Sequence, residues 1–391
     1  MTDIAASPRL MPRERIAVSV VFLLNGYLVG NWAPRIPGFK TALGIDEAML
    51  GLMILAFGVG SLVTMPLIGA AIAHDGSRRV LRALAFCLAP CWLLLTLAPS
   101  VPAAFVALFV FGGVVGGMDV AMNANAVSVE RSMRRAIMSS CHGFWSLGGL
   151  IGAATGGFLL GRFGDLAQTV AIVVVCLLFL ALVWTSLRHD RAPPATEKTP
   201  IRLPRTALPW LIGVVALMCM IPEGSVLDWS ALYLRTELGA SVEVSGLAFA
   251  AFSATMAVMR FSGDPIRDRF GAVRTLRVSA LIAAAGLLAA GFAPNPAVAI
   301  AGFAIAGLGI SNLVPIAFSA AGNLPGLAPG VGISLVTFLG YSGMLFAPSF
   351  IGFVAHRTGL GPIFATLPLL YLLVLALAHH MKSADMADGG H

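Results

Sequence analysis

"RHDRAPPATEKTPIRLPRTALP", residues 188–209, is the one long polar stretch of a 391-residue chain, rich in proline and charge and flanked on both sides by apolar runs. That composition marks a linker, and it cuts the chain nearly in half. A helix needs roughly 20 mostly apolar residues to cross a bilayer core of about 30 Å. On one side of the linker such runs fall near 15–36, 47–73, 79–98, 102–128, 134–161 and 167–187; on the other, near 208–234, 242–262, 276–293, 296–319, 328–353 and 361–380. The expectation is an all-α, polytopic membrane protein with twelve transmembrane helices. They form two pseudo-symmetric six-helix bundles, 1–187 and 208–391, joined by a cytoplasmic linker at 188–207.

Composition agrees with that class. Apolar residues make up 58% of the chain and charged residues 11%, against about 45–50% and about 25% in soluble domains; mean hydropathy is +0.90. A net charge of +7 raises the question of nucleic acid, so the placement of the 25 basic residues matters. With both chain ends on one side, only Arg35, Lys40, Arg162, Arg235 and Arg357 lie on the other, and Arg260 sits inside a span. This is the positive-inside pattern. It reads the charge as topology, with both termini cytoplasmic in a bacterial inner membrane, and excludes nucleic acid as a partner; the surroundings are lipid and the chain is expected to be a monomer. Arg9, Arg13 and Arg15 precede a first apolar run too long for a signal-peptide core and without a small-residue cleavage site, so that run reads as an uncleaved first span. Cys87, Cys91, Cys141, Cys176 and Cys219 fall inside spans without CxxC or zinc spacing. They read as small apolar filler, and no metal or cofactor is expected.

The chain also repeats itself. A shift of 195 positions pairs Gly51 with Gly246, Leu52 with Leu247, Ala56 with Ala251, Phe57 with Phe252, Gly76 with Gly271, Arg79 with Arg274 and Arg82 with Arg277; without a gap it goes on to pair Gly148 with Gly343, Phe158 with Phe353, Arg162 with Arg357 and Gly164 with Gly359. Leu, Ala and Gly match easily by chance in membrane sequence, so the arginine pairs and the single ungapped register carry the weight. The halves read as a tandem duplication.

Six plus six spans with parallel halves resembles the major facilitator superfamily, in which the halves rock about a central site. The superfamily's loop between spans 2 and 3 is similar to G-x-x-x-D-R-x-G-R-R. Here "GAAIAHDGSRR" (69–79) keeps Gly69, Gly76 and Arg78 but has Ala73 and His74 in place of the Asp-Arg pair, while the second copy, "DPIRDRFGAVR" (264–274), keeps Asp268, Arg269 and Gly271. A glycine turn joining two helices, with charges that pair at the helix ends, implies a conformational gate.

Acids inside the membrane are costly and default to function. Asp119, in "GGMDVAMNANAVSVE" (116–130), shares a helix face with Asn123 at i+4 but not with Asn125. "MDVAMNANAV" resembles the fourth span of the fucose permease group of proton–sugar symporters, and "CHGFWSLGGLIGA" (141–153) is similar to that group's next span through Phe144, Ser146 and Gly148. The resemblance implies that Asp119 carries the coupling proton or contacts the sugar. The group's first-span Asp is missing, with Ala33 in its place; Ala33 shifted by 195 lands on Asp228. "MIPEGSVLDWSALYL" (220–234) also supplies Glu223 at mid-span, and its "EGSxxDWS" string resembles rhizopine-uptake-like and other bacterial inner-membrane members of the superfamily. Asp119, Glu223, Asp228 and His142, which titrates near neutrality when unperturbed, are thus the candidate proton-coupling groups. Each could instead be a fixed structural partner. Arg260 is expected to reach the interface or pair with Asp264.

For substrate the candidates are Asn25, Tyr27, Asn31 and Trp32 in span 1, Asn123 in span 4, Trp229 in span 7, Asn312 in span 10 and Tyr341 in span 11. Amides fork onto neighbouring hydroxyls, and aromatic rings offer an apolar face with a polar edge, which suits a sugar or polyol. Trp32 and Trp229 could equally belong to an aromatic belt. Metal-ligand and nucleophile motifs of membrane enzymes are absent from the sequence. The reading is proton-coupled uptake of a small polar solute; proton-driven export of a drug or metabolite is the alternative.

Overall fold

The computed structural model describes residues 13–45, 47–190, 204–240, 242–327 and 329–385. Most of the sequence-expected linker, 191–203, lies outside the described residues. Among the described residues, ten helices are long and apolar enough to cross a membrane. One of them, Met138–Val183, has 46 residues and would reach about 69 Å as a single helix at 1.5 Å per residue. It is two spans that meet at Gly164, whose φ of 79° and ψ of −179° are not helical. That makes eleven, and the 29-residue helix Val242–Phe270, which is not among the ten, is the twelfth.

The spans are therefore span 1 (Arg13–Leu43), span 2 (Glu47–Asp75), span 3 (Ser77–Thr96), span 4 (Val101–Met133), spans 5 and 6 (on either side of Gly164), span 7 (Ala207–Thr236), span 8 (Val242–Phe270), span 9 (Ala272–Gly291), span 10 (Pro296–Ile310 and Leu313–Gly322), span 11 (Pro329–Thr358) and span 12 (Gly361–Thr366, Pro368–Leu377 and a 3-10 turn, Ala378–Ala384). Twelve crossings match the sequence expectation. Two spans are broken where the sequence reading has one continuous helix. Pro315 lacks the N–H that would bond back to residue 311, and Pro368 the one for residue 364; the breaks fall at 311–312 and 367.

The repeat recurs in backbone detail at the same offset of 195. Gly76 and Gly271 both hold φ near +80° (82° and 79°), which a side chain would strain. Each turn opens a helix whose first N–H groups are held by an aspartate: Asp190 takes Ser77 N–H (2.6 Å) and Arg78 N–H (3.2 Å), and Asp385 takes Ala272 N–H (2.6 Å). Ser100 and Asn295 cap spans 4 and 10 with nearly the same φ, −156° and −157°.

Leu67, Leu150, Phe158, Leu182, Phe350 and Leu372 are each more than 60% exposed. An apolar shell of this kind belongs in lipid.

Candidate functional site

One group of polar side chains inside the bundle lies where the halves meet. On span 4, Asn123 Nδ2 donates to the Asp119 carbonyl (2.9 Å) and to Asp119 Oδ1 (3.3 Å). Asp119 is 5% exposed, its Oδ2 has no hydrogen-bond partner, and Tyr341 of span 11 faces it from the second half. His142 of span 5 places Nε2 3.3 Å from Asn123 Oδ1. Because Asn123 already spends its amide N–H on Asp119, the imidazole nitrogen that meets Oδ1 is the protonated one. The His142 ring stacks on Phe318 of span 10 (5.6 Å, 13°) and meets the edge of Phe22 (5.4 Å).

One turn further along span 5, Ser146 accepts from Arg260 of span 8 (2.7 Å), and Arg260 pairs with Glu223 of span 7 at 3.0 Å. The pair is almost enclosed, at 7% and 14% side-chain exposure, and Arg260 Nε is buried without an acceptor. This corrects the expectation for Arg260: its carboxylate is Glu223, while Asp264 caps span 5 by accepting Ser139 N–H (2.9 Å) and Ser140 N–H (3.0 Å). Arg260 and Glu223 cancel each other's charge. Asp119 has no basic partner among the described residues, so when the site is sealed it must hold a proton or meet a cation to avoid an isolated buried charge.

A second polar cluster seals the arginine-rich face. Glu130, fully buried, pairs with Arg267 (2.8 Å) and accepts Ile137 N–H (2.9 Å), Met138 N–H (3.2 Å) and the Ser319 hydroxyl. Asp268 accepts Ala136 N–H (2.8 Å) and pairs with Arg135 (3.6 Å); Arg131 reaches Asn323 and the Gly322 carbonyl. Both halves contribute to every one of these groups.

A family model described as Major Facilitator Superfamily matches residues 18–224 and 215–383. The chain belongs to the major facilitator superfamily. An uncharacterized MFS-type transporter of Yersinia pestis is 35% identical over 368 residues, 93% of this chain and 95% of that protein. The membrane protein MosC of Rhizobium meliloti is 33% identical over 345 residues, 88% of this chain and 84% of that one. Among solved structures, FucP in the outward conformation superposes with a TM-score of 0.81 at 18% identity, covering 94% of this chain and 98% of that one. The proton:xylose symporter XylE, bound to 6-bromo-6-deoxy-D-glucose, gives 0.71 at 15%, covering 95% and 94%. The chain is a multi-pass membrane transporter and not an enzyme.

Within this transporter the sequence candidates separate by their partners. Asp119, Asn123, His142, Glu223 and Tyr341 come together. Asn25 does not join them, because it donates to the Val115 carbonyl (3.3 Å) and accepts from Trp145 Nε1 (2.9 Å), tying spans 1, 4 and 5. Asn31, fully buried, is used by the Tyr27 carbonyl (2.9 Å) and Gln168 (3.3 Å). Both amides are bonded within the first half, and Tyr27 is buried beside them, its carbonyl against Gly152. Trp32 packs its edge on Phe39 (5.2 Å). Asp228 is exposed. Trp229, half-buried against Gly352, leaves Nε1 unpartnered, and Asn312, at the span 10 break, leaves both amide atoms unpartnered although 1% exposed.

The gate residues divide likewise. Asp268 and Gly69 touch the opposite half. Arg78 instead reaches the Thr185 carbonyl of its own half (3.3 Å), Arg269 lies over Phe270, and Gly76 and Gly271 form the capped turns. The sequence reading overlooked Glu130, Asp264 and Arg267 as a seal. Helical spacing holds the signal: Glu130 is three turns beyond Asp119 on one face, and Arg260, Asp264 and Arg267 form one stripe.

Proposed function

We propose that this transporter takes up a small, polar, uncharged solute such as a sugar or polyol, together with a proton, by alternating access. The single observation that supports the reading is Asp119: a buried carboxylate with no cation among the described residues, joined through Asn123 to His142 and facing Tyr341 across the halves. A proton on Asp119 leaves the sealed site electrically neutral beside the Arg260–Glu223 pair, and an uncharged cargo keeps it neutral. Asn123, Asn312, Tyr341 and Trp229 are the cargo contacts in this reading, with unspent amide groups for hydroxyls and aromatic faces for a sugar ring. FucP, the fucose:proton symporter of E. coli, and the proton:xylose symporter XylE share the fold. The positive-inside pattern puts the arginine-rich face, both termini and the 188–207 linker in the cytoplasm of a bacterial inner membrane, so the sealed side is the inner one. Bundles 1–187 and 208–391 rock as units about the site, within a monomer.

Counterflow of labelled sugars and polyols in proteoliposomes tests this, followed by uptake under an imposed pH gradient. A cargo that accumulates only while the gradient lasts supports the reading. Accumulation indifferent to the gradient contradicts the coupling, and exchange only of anions or cations contradicts the cargo class.

A further inference from the structure

A cavity of about 1100 Å³ opens at the arginine-rich face, outside the central site, with walls from both halves. Arg131 and Arg134 come from the first half; Arg267, Asp268, Asn323, Lys382 and Asp385 from the second. Its acids are already engaged. Asp268 holds Ala136 N–H and Arg135, Asp385 holds Ala272 N–H, and Glu130 behind the wall holds Arg267. Arg131 is bonded only to neutral groups, Asn323 and the Gly322 carbonyl. Arg134 and Lys382 have no carboxylate partner among the described residues, which leaves two cations without a counter-ion, while Arg131 has Glu130 beside it.

One further observation points inward. Arg267 is 4% exposed, yet its second terminal nitrogen is buried without an acceptor. Arg134 is the left-handed cap of span 4 (φ 48°, ψ 41°), its N–H bonded to the Arg131 and Glu130 carbonyls, so the end of that helix carries it to the cavity wall.

The geometry points to a binding site for a phosphate monoester, with Arg131 and Arg134 of one half and Arg267 and Lys382 of the other as its donors. Guanidinium forks match phosphate oxygens, and the volume admits far more than the bare ion. Because the donors sit on both halves, the ligand fits only while this face is sealed. By linkage it must favour the sealed state and slow transport. A soluble phosphate monoester and the headgroup of phosphatidic acid present the same chemistry.

The test uses the full chain in nanodiscs. One arm titrates glycerol 3-phosphate into discs of neutral lipid; the other replaces neutral lipid with phosphatidic acid, whose headgroup is a phosphate monoester, and adds no soluble phosphate. Both follow the melting temperature. A saturable upward shift in the first arm identifies a soluble ester, and a shift confined to the second identifies the headgroup. In either case the double variant Arg134→Gln/Lys382→Gln should weaken the response about tenfold or more, while Arg134→Lys/Lys382→Arg retains it. No saturable shift in either arm overturns the site, as does a shift that the Gln variant leaves unchanged.

Discussion

Spans 5 and 8 meet through charge, whereas spans 2 and 11, the equivalent seam under the repeat, meet through small residues. In the first seam Asp264 and Asp268 hold four backbone or hydroxyl groups at the start of span 5, and Glu130 and Arg267 form a buried pair beside them. Shifted back by 195, those two aspartates become Gly69 and Ala73. Gly69 lies against Ser334 and Gly330, and Gly330 against Ile72. Duplication kept what each bundle needs to close on itself, the paired turns at Gly76 and Gly271 with their aspartate caps Asp190 and Asp385. It let the seams diverge. The charged seam must exchange its partners for water whenever the face opens, while the small-residue seam has only shape to lose.

The buried ion pair gives the largest effect that could break this contrast. Arg267→Met strands Glu130 as an uncompensated buried charge, a cost of about 3–5 kcal/mol, whereas Glu130→Met/Arg267→Met should recover most of it. Thermal unfolding in detergent checks this; a double variant as unstable as the single one would mean that the seam depends on the pair itself. On the other seam, Gly69→Leu should cost about 1–3 kcal/mol by overpacking against span 11 and should increase alkylation of residues at the arginine-rich face. Unchanged labelling would show that spans 2 and 11 do not bear on closure. The smallest effect sharpens the shared part: Asp190→Ala and Asp385→Ala should each lower stability by about 1 kcal/mol. A loss confined to one half would break the equivalence of the caps.

Crossings and repeat were legible in the sequence because both are written in the spacing of apolar runs and of arginines, which bilayer thickness and topology constrain directly. The site was legible in part. Asp119 and Asn123 share a face by helical geometry, and Glu223 is an acid at mid-span, so both stand out residue by residue. Asn25 and Asn31 look the same in sequence as Asn123, but their amides are consumed by Val115, Trp145, Tyr27 and Gln168. Partners brought in from other spans decide between scaffold and site, and one-dimensional spacing does not contain them. Arg260 shows the reverse case. Asp264, one turn away, was the obvious partner, but Glu223 lies 37 residues earlier in the chain.

Asp119→Asn keeps the size and hydrogen-bonding shape of the carboxyl but cannot release a proton. The most direct measurement reconstitutes this variant, imposes a pH step and compares uphill accumulation with counterflow of the same cargo. Loss of pH-driven accumulation with counterflow retained is the predicted result. Accumulation against the gradient at the wild-type level would contradict the assignment and pass the coupling role to Glu223.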